Sequence, residues 1–359
     1  MTYAHIRCIH ATDFGCLRNV GIKLTPLHAL IGPNDSGKST VLRAIRSIVQ
    51  LASGRLSQSE DLPWHQPRRK QPPSKINPKL SITIGKRADY TVEFTGDSVV
   101  EFVTDAGRIL NLGKRQLGDK SLLDQYIKEH AVKVLLKNIK GVRLVRFDPD
   151  ALRKPSNLIP EHDIMQFVDH RGMGLPGIYD AINSRGDDSF NKIVEEVRRI
   201  FPTVARLRLP SISYDQKILE VELHSGEKVP AQHISEGMLY YLAFVAIPYL
   251  KRTSVLLVEE PENGLHPARI KEVMRTLREI TKKTQVIVAT HSPLVINEME
   301  GNEVTVLRRD QKKGTQASLL SATPNFEERK KVYALGELWL SYADGDKEEP
   351  LFTPPKKRK

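Results

Sequence analysis

The sequence predicts an α/β protein with a mixed core sheet, an antiparallel β subdomain toward its N-terminus and a helical insertion. Three stretches predict the core. Gly32-Pro33-Asn34-Asp35-Ser36-Gly37-Lys38-Ser39-Thr40 lies between an apolar run, His28–Ile31, and a run with apolar residues at helical spacing, Val41–Val49. Val255-Leu256-Leu257-Val258 ends in the paired carboxylates Glu259 and Glu260. Val286-Ile287-Val288-Ala289 ends in Thr290-His291-Ser292-Pro293. An amphipathic helix from Pro267 to Thr281 separates the last two, and strand–helix–strand order of this kind places strands side by side and parallel.

The first stretch fits G-x-x-x-x-G-K-[ST], the phosphate-binding P-loop, in the strand-to-helix context that the loop requires. Gly32 and Gly37 permit backbone angles that turn amide hydrogens inward. Those amides and the helix N-terminus form an anion site. Lys38 is placed to reach the β- and γ-phosphates, and the Ser39 hydroxyl to ligate Mg²⁺, which keeps several waters and needs few protein ligands.

The other motifs fit the same chemistry. An apolar strand ending in two carboxylates is the Walker B form: Glu259 would hold the Mg²⁺ shell, and Glu260 would orient or deprotonate an attacking water. His291, at the next strand end, can reach and sense the γ-phosphate. Ile234-Ser235-Glu236-Gly237-Met238 opens a nearly all-apolar helix running to Leu250, where a serine and a glycine amide again suit an anion.

Composition bounds the rest. The chain has 359 residues, 40% hydrophobic and 27% charged, enough for one large or two smaller domains. No apolar run is long enough to span a bilayer, and Met1–His5 lacks a basic start and an apolar signal core, so a cytoplasmic protein with no membrane partner is expected. Cys8 and Cys16 make neither a disulfide framework nor a zinc cluster. A net charge of +12 permits a polyanionic partner, with basic residues gathered at Arg68-Arg69-Lys70, Lys114-Arg115, Lys137 to Arg146 and Lys356-Lys357-Arg358-Lys359.

In chain order, alternation predicts strands at Ile6–His10 and Val20–Leu24 before the phosphate loop. Residues 53–79, with prolines and basic residues from Pro63 to Lys79, mark a loop or a disordered insertion. Alternation returns in Leu80–Ile84, Tyr90–Phe94 and Val99–Val103, an antiparallel meander. Residues 116–140 have helical spacing at Leu122, Leu123, Tyr126, Ile127, His130 and Val134. A strand at 142–147, a glycine-rich loop over 150–187, a helix from Asp187 to Phe201 and strands near 205–213 and 217–223 follow. The expected division is a discontinuous head (1–104 and 202–310), an insertion (105–201) and a C-terminal extension with a basic tail (311–359).

These motifs in this order resemble the ATP-binding cassette (ABC) ATPases, in particular the RecF, SMC and OLD-like branch labelled AAA-15 or AAA-21. Leu265-His266-Pro267 resembles that branch's D-loop, and Ala334–Leu340 a stretch of its single-domain members. The signature begins Ile-Ser-Glu-Gly without the transporter form's leucine, the first Walker B acid is Glu, and no Q-loop glutamine can be assigned. Residues 105–200 show no sustained heptads of the long SMC arms, and with the chain ending soon after the head, a TOPRIM nuclease of the OLD kind is not expected. The resemblance implies a P-loop fold of ABC type that binds and hydrolyses ATP with Mg²⁺. Two copies would sandwich ATP, with Ser235, Glu236 and Gly237 completing the partner's site. The tasks that fit are the sensor subunit of a prokaryotic antiphage-defence or DNA-processing system with a separate effector such as a nuclease, a RecF-like repair ATPase that binds DNA directly, and a non-hydrolysing scaffold.

Overall fold

A computed structural model describes residues 5–54, 77–85, 88–117 and 119–342. Its strands are β1 (Ile6–Phe14), β2 (Leu17–Lys23), β3 (Leu27–Ile31), β4 (Lys79–Ile84), β5 (Ala88–Thr95), β6 (Ser98–Asp105), β7 (Arg108–Gln116), β8 (Val142–Val145), β9 (Ser156–Asn157), β10 (Val204–Arg208), β11 (Gln216–Lys217), β12 (Glu220–Leu223), β13 (Lys228–Pro230), β14 (Val255–Glu259), β15 (Gln285–Thr290), β16 (Val304–Asp310) and β17 (Gly314–Leu319). Its helices are α1 (Lys38–Ala52), α2 (His130–Asn138), α3 (Pro149–Leu152), α4 (Leu175–Ser184), α5 (Ser189–Ile200), α6 (Glu236–Ala246), α7 (Pro267–Ile280), α8 (Pro293–Asn297), α9 (Phe326–Lys330) and α10 (Leu335–Tyr342). Two units result: Met1–Arg143 with Thr253–Glu259 and Thr281–Lys359, and Leu144–Arg252 with Glu260–Ile280. These cuts fall at other places than residues 104, 201 and 310, and residues 202–252 belong to the second unit.

The first unit holds the core-sheet strands β17-β16-β3-β15-β14, in that order. β14, β15, β3 and β16 run parallel, and β17 turns back antiparallel on β16, so the sheet is mixed as expected. All of β3 and β15 is buried, as is β14 up to Glu259. Unbroken apolar runs are what strands covered on both faces require.

A second sheet in this unit is antiparallel, in the order β2-β1-β4-β5-β6-β7. β5 alternates buried and half-buried residues along its whole length, the pattern of a sheet with one covered face. Gln285, fully buried at the start of β15, bonds this sheet to the core. Its Oε1 accepts from Ile6 N at 3.0 Å, and its Nε2 donates to Ile6 O at 2.8 Å and Thr25 O at 3.0 Å.

The helix expected over 116–140 is a correction. The chain instead finishes β7, makes a 3₁₀ turn at Leu122–Tyr126 and starts α2 at His130. Ile127, on the expected apolar face, is 53% exposed. The cause is buried Glu101 on β6. Its Oε2 accepts from Leu122 N at 2.9 Å and from the Ser121 hydroxyl at 3.1 Å, tying this segment to the sheet. Glu101 Oε1 also accepts from Tyr90 at 2.9 Å and Arg115 Nε at 2.7 Å, and Arg115 donates onward to Leu51 O at 3.2 Å near the end of α1. Lys114-Arg115 is therefore no basic pair facing solvent: Arg115 is buried in this network.

In the second unit, α6 is buried from Leu239 to Ala246, as an all-apolar helix must be. Tyr179 of α4 donates to Leu242 O at 2.8 Å. α5 buries Ile193, Val194, Val197 and Ile200 on its expected face. α4 lies inside the stretch read as loop, because Gly172, Gly174 and Pro176 look like turn residues. Gly174 instead caps the helix at φ 103, with Pro176 in its first turn. Among the described residues no helix is long and apolar enough to cross a membrane.

Removing the Glu101 carboxylate leaves Arg115 buried without its anion. Glu101→Ala is expected to cost about 3–5 kcal/mol of stability, read as a lower urea midpoint.

Candidate functional site

The phosphate loop begins where β3 ends. Gly37 sits at φ 104 and precedes α1 without any side-chain cap, so the first-turn amides of α1 are left to a ligand. Neither loop glycine can carry a side chain. A Cβ on Gly32 would lie 2.3 Å from Leu307 O, and one on Gly37 2.5 Å from Thr315 Oγ1. Thr315 of β17 supports the loop from below, donating to Ser36 O at 3.0 Å. Cys16 Sγ lies 3.4 Å from the hydroxyls of both Thr40 and Thr315. Asp35 takes a positive φ of 70° at the loop's crest. Lys38 folds back across the loop, donating to Gly32 O at 2.7 Å and Pro33 O at 2.9 Å. The Ser36 hydroxyl is buried without a hydrogen-bond partner.

Glu259 ends β14, paired in register with Ala289 of β15, while Thr290 pairs with Ile31 of β3. The C-terminal ends of three parallel strands thus meet, which is where open α/β sheets bind ligands. The Ser39 hydroxyl donates to the Glu259 carboxylate there. His291 is exposed just beyond Thr290, whose hydroxyl accepts from Ser292 N at 2.9 Å. α8 follows, with α10 packed on it so closely that a Cβ on Gly336 would lie 2.3 Å from Pro293 O. The stretch Ala334–Leu340 thus buttresses the helix that follows His291.

The second unit holds the remaining motif residues. Ser235 caps α6, accepting from Met238 N at 3.4 Å, and Glu236 stands in the first turn. A Cβ on Gly237 would lie 3.1 Å from Gly264 O, so the D-loop-like turn packs on the helix start. Glu260 opens that turn at φ 51. Its Oε2 accepts from Asn263 Nδ2 at 2.8 Å and lies 3.6 Å from an Arg146 guanidinium nitrogen.

Sequence reading missed Thr315, Cys16, Arg146 and Asn263. Thr315 lies within the expected extension, yet β17 is a strand of the core sheet, and the apolar run ending in Val306-Leu307 of its neighbour β16 was the available signal. Of the basic clusters, Arg68-Arg69-Lys70 and Lys356-Lys357-Arg358-Lys359 lie outside the described residues. In the cluster from Lys137 to Arg146, Lys137 and Lys140 are exposed, whereas burial pushes Arg143 down to about 10.

The P-loop, the carboxylate-ended strand separated by one strand from the P-loop strand and the mixed core sheet define a P-loop fold of the ABC type. The chain belongs to the AAA_21 family, described as "AAA domain, putative AbiEii toxin, Type IV TA system", whose model matches residues 27–297. It is similar to an OLD nuclease of Thermus scotoductus, at 22% identity over 361 residues, covering 85% of this chain and 62% of that protein. The chain thus spans under two thirds of that relative's length. Among solved structures, an SMC head bound to the C-terminal winged-helix domain of ScpA matches with a TM-score of 0.55 at 16% identity, over 88% of this chain and 97% of that one. An SMC head with an extended coiled coil, bound to the C-terminal domain of ScpA from Pyrococcus furiosus, matches with a TM-score of 0.54 at 15% identity, over 91% of this chain and 100% of that one. At such identity the likeness is one of fold.

His28 links β3 to β16 within the core sheet. It is fully buried in β3, with Thr25 Oγ1 3.1 Å from Nδ1 and Thr305 Oγ1 2.9 Å from Nε2, and burial pushes it down to about 4. Because the folded value lies below the unfolded one near 6.5, the unfolded chain binds the extra proton. Stability from this residue is complete above pH 6.5 and is lost as pH falls toward 4, by on the order of 3 kcal/mol. Thermal melts across pH 4–7 should show that loss, and His28→Gln should flatten it.

Proposed function

We propose that the chain binds ATP with Mg²⁺ at Gly32–Thr40 and hydrolyses it. The observation that carries this reading is the Ser39–Glu259 hydrogen bond at the mouth of a loop too tight for any residue but glycine at 32 and 37. The residues fit the group: a hydroxyl and a carboxylate form a hard-oxygen pair suited to Mg²⁺, and the uncapped α1 and the unpartnered Ser36 hydroxyl suit phosphate oxygens.

In this reading the amides of Gly32, Pro33, Asn34, Asp35, Ser36, Gly37, Lys38, Ser39 and Thr40 cradle the phosphates. Lys38 exchanges its two backbone carbonyls for phosphate oxygens. Ser39 and Glu259 hold the metal, which when bound neutralises charge on the phosphates. Glu260 orients or deprotonates the attacking water, and His291 senses the γ-phosphate. Ser235, Glu236 and Gly237 complete the site of a second copy, so ATP joins two chains and hydrolysis releases them. A ligand that touches both copies favours the closed state by its differential affinity.

The task we assign is that of a cytoplasmic sensor or regulatory subunit in a prokaryotic defence or DNA-processing system, acting on a separate effector. The supporting observation is similarity to a relative named an OLD nuclease. Direct DNA binding is a second reading, favoured by the exposed Lys133, Lys137 and Lys140 on and beside α2 and by the charge of +12.

Light scattering of Glu260→Gln with and without Mg-ATP tests the switch. A shift from monomer to dimer on adding Mg-ATP, with phosphate release cut to a slow but measurable residual rate, is expected. Normal phosphate release in that variant contradicts the role of Glu260.

A further inference from the structure

Three polar side chains meet in the turn after β14. Glu260 is a non-glycine residue in the left-handed region at φ 51, a conformation that persists only where surrounding bonds hold it. Asn263 holds it twice. Its main-chain N–H donates to Glu260 O at 3.1 Å, and its side-chain Nδ2 donates to Glu260 Oε2 at 2.8 Å. Arg146, from a segment more than a hundred residues earlier, brings its guanidinium to 3.6 Å from the same oxygen.

Arg146 is itself anchored. Its N–H donates to His170 O at 2.8 Å, and Asp148 N donates to Arg171 O at 3.0 Å. The Asp148 carboxylate pairs with Arg171 at 3.0 Å and accepts from Ala151 N at 3.0 Å, capping α3. The neighbouring guanidinium and amides hold that carboxyl below the usual carboxylate range, against the opposing effect of burial. The chain around Arg146 is therefore fixed before any ligand arrives.

A glutamate side chain has three rotatable bonds, and its carboxylate can face many ways. Here a neutral amide from its own turn and a cation from a distant segment converge on one oxygen. We infer that Asn263 and Arg146 are positioning residues for Glu260: Asn263 sets the backbone turn and the carboxylate together, and Arg146 fixes the carboxylate from outside the turn. The inference rests on the reading of Glu260 as the residue that orients or deprotonates water. The Arg146 pair is half-exposed and longer than a hydrogen bond, so it adds little stability, and its effect is on aim. Misplacing a reacting group by about 1 Å costs on the order of 10²-fold in rate.

The test is ATP turnover by the full chain with Mg²⁺, measured for Arg146→Ala, Arg146→Lys and Asn263→Asp, alone and combined with Glu260→Gln. Asn263→Asp keeps the main-chain bond and the side-chain size but sets a carboxylate against Oε2. For Arg146→Ala and Asn263→Asp, kcat is expected to fall about 10–100-fold with KM for ATP within about twofold. Arg146→Lys is expected to recover part of the loss. Neither Arg146→Ala nor Asn263→Asp should lower the rate of Glu260→Gln further, because a residue that acts through Glu260 then has nothing to position. Thermal melts matching the parent chain separate aim from folding. Unchanged kcat in both variants, or full additional losses in the Glu260→Gln background, overturns the inference. Unimpaired turnover in Glu260→Gln alone, or none in the parent chain, overturns it by removing its premise.

Discussion

The hydrogen bond from the Ser39 hydroxyl to the Glu259 carboxylate is the contact on which the site depends. It joins positions 220 residues apart in sequence, and it exists only because β14, β15 and β3 run parallel and end together. A one-residue slip in β14 would turn Glu259 to the other face of the sheet and away from Ser39. The register of three buried strands therefore sets the distance between a hydroxyl and a carboxylate.

That register is held largely by apolar burial, but buried polar groups join the layers around it. Gln285 ties the start of β15 to Ile6 and Thr25. His28 bridges Thr25 and Thr305, linking β3 to its neighbour β16. Glu101 and Arg115 bind the antiparallel sheet to the end of α1, the helix that follows the P-loop. Each network is satisfied by several partners, which is the condition under which buried polar groups specify one arrangement rather than penalise it. Thr315 extends this logic to the loop itself, holding Ser36 from a strand on the sheet's far edge.

The phosphate loop, the core strands β3, β14 and β15 and the α6 helix were legible because each is local: a glycine spacing, an apolar run, an apolar run with a capping serine. What escaped reading is what long-range contacts decide. Residues 116–127 have helical spacing, but Glu101 captures Leu122 N and Ser121, and the segment follows the sheet instead. Gly174 and Pro176 have the chemistry of a turn and equally that of a helix start, and the burial of Leu175, Ile178, Tyr179 and Ile182 settles which. Arg115 counts as surface charge until the anion that buries it is known. Asn263 and Arg146 could not be linked to Glu260 from sequence, since one pairing needs a left-handed turn and the other a distant segment.

The most direct test of the central contact is calorimetric titration of ATP into the parent chain and into Glu259→Gln, each with and without Mg²⁺. If Ser39 and Glu259 hold the metal, Mg²⁺ tightens ATP binding by about tenfold or more in the parent chain, about 1.4 kcal/mol, and leaves Glu259→Gln unaffected. Equal affinity with and without Mg²⁺ in the parent chain, or an undiminished Mg²⁺ effect in Glu259→Gln, would contradict the account.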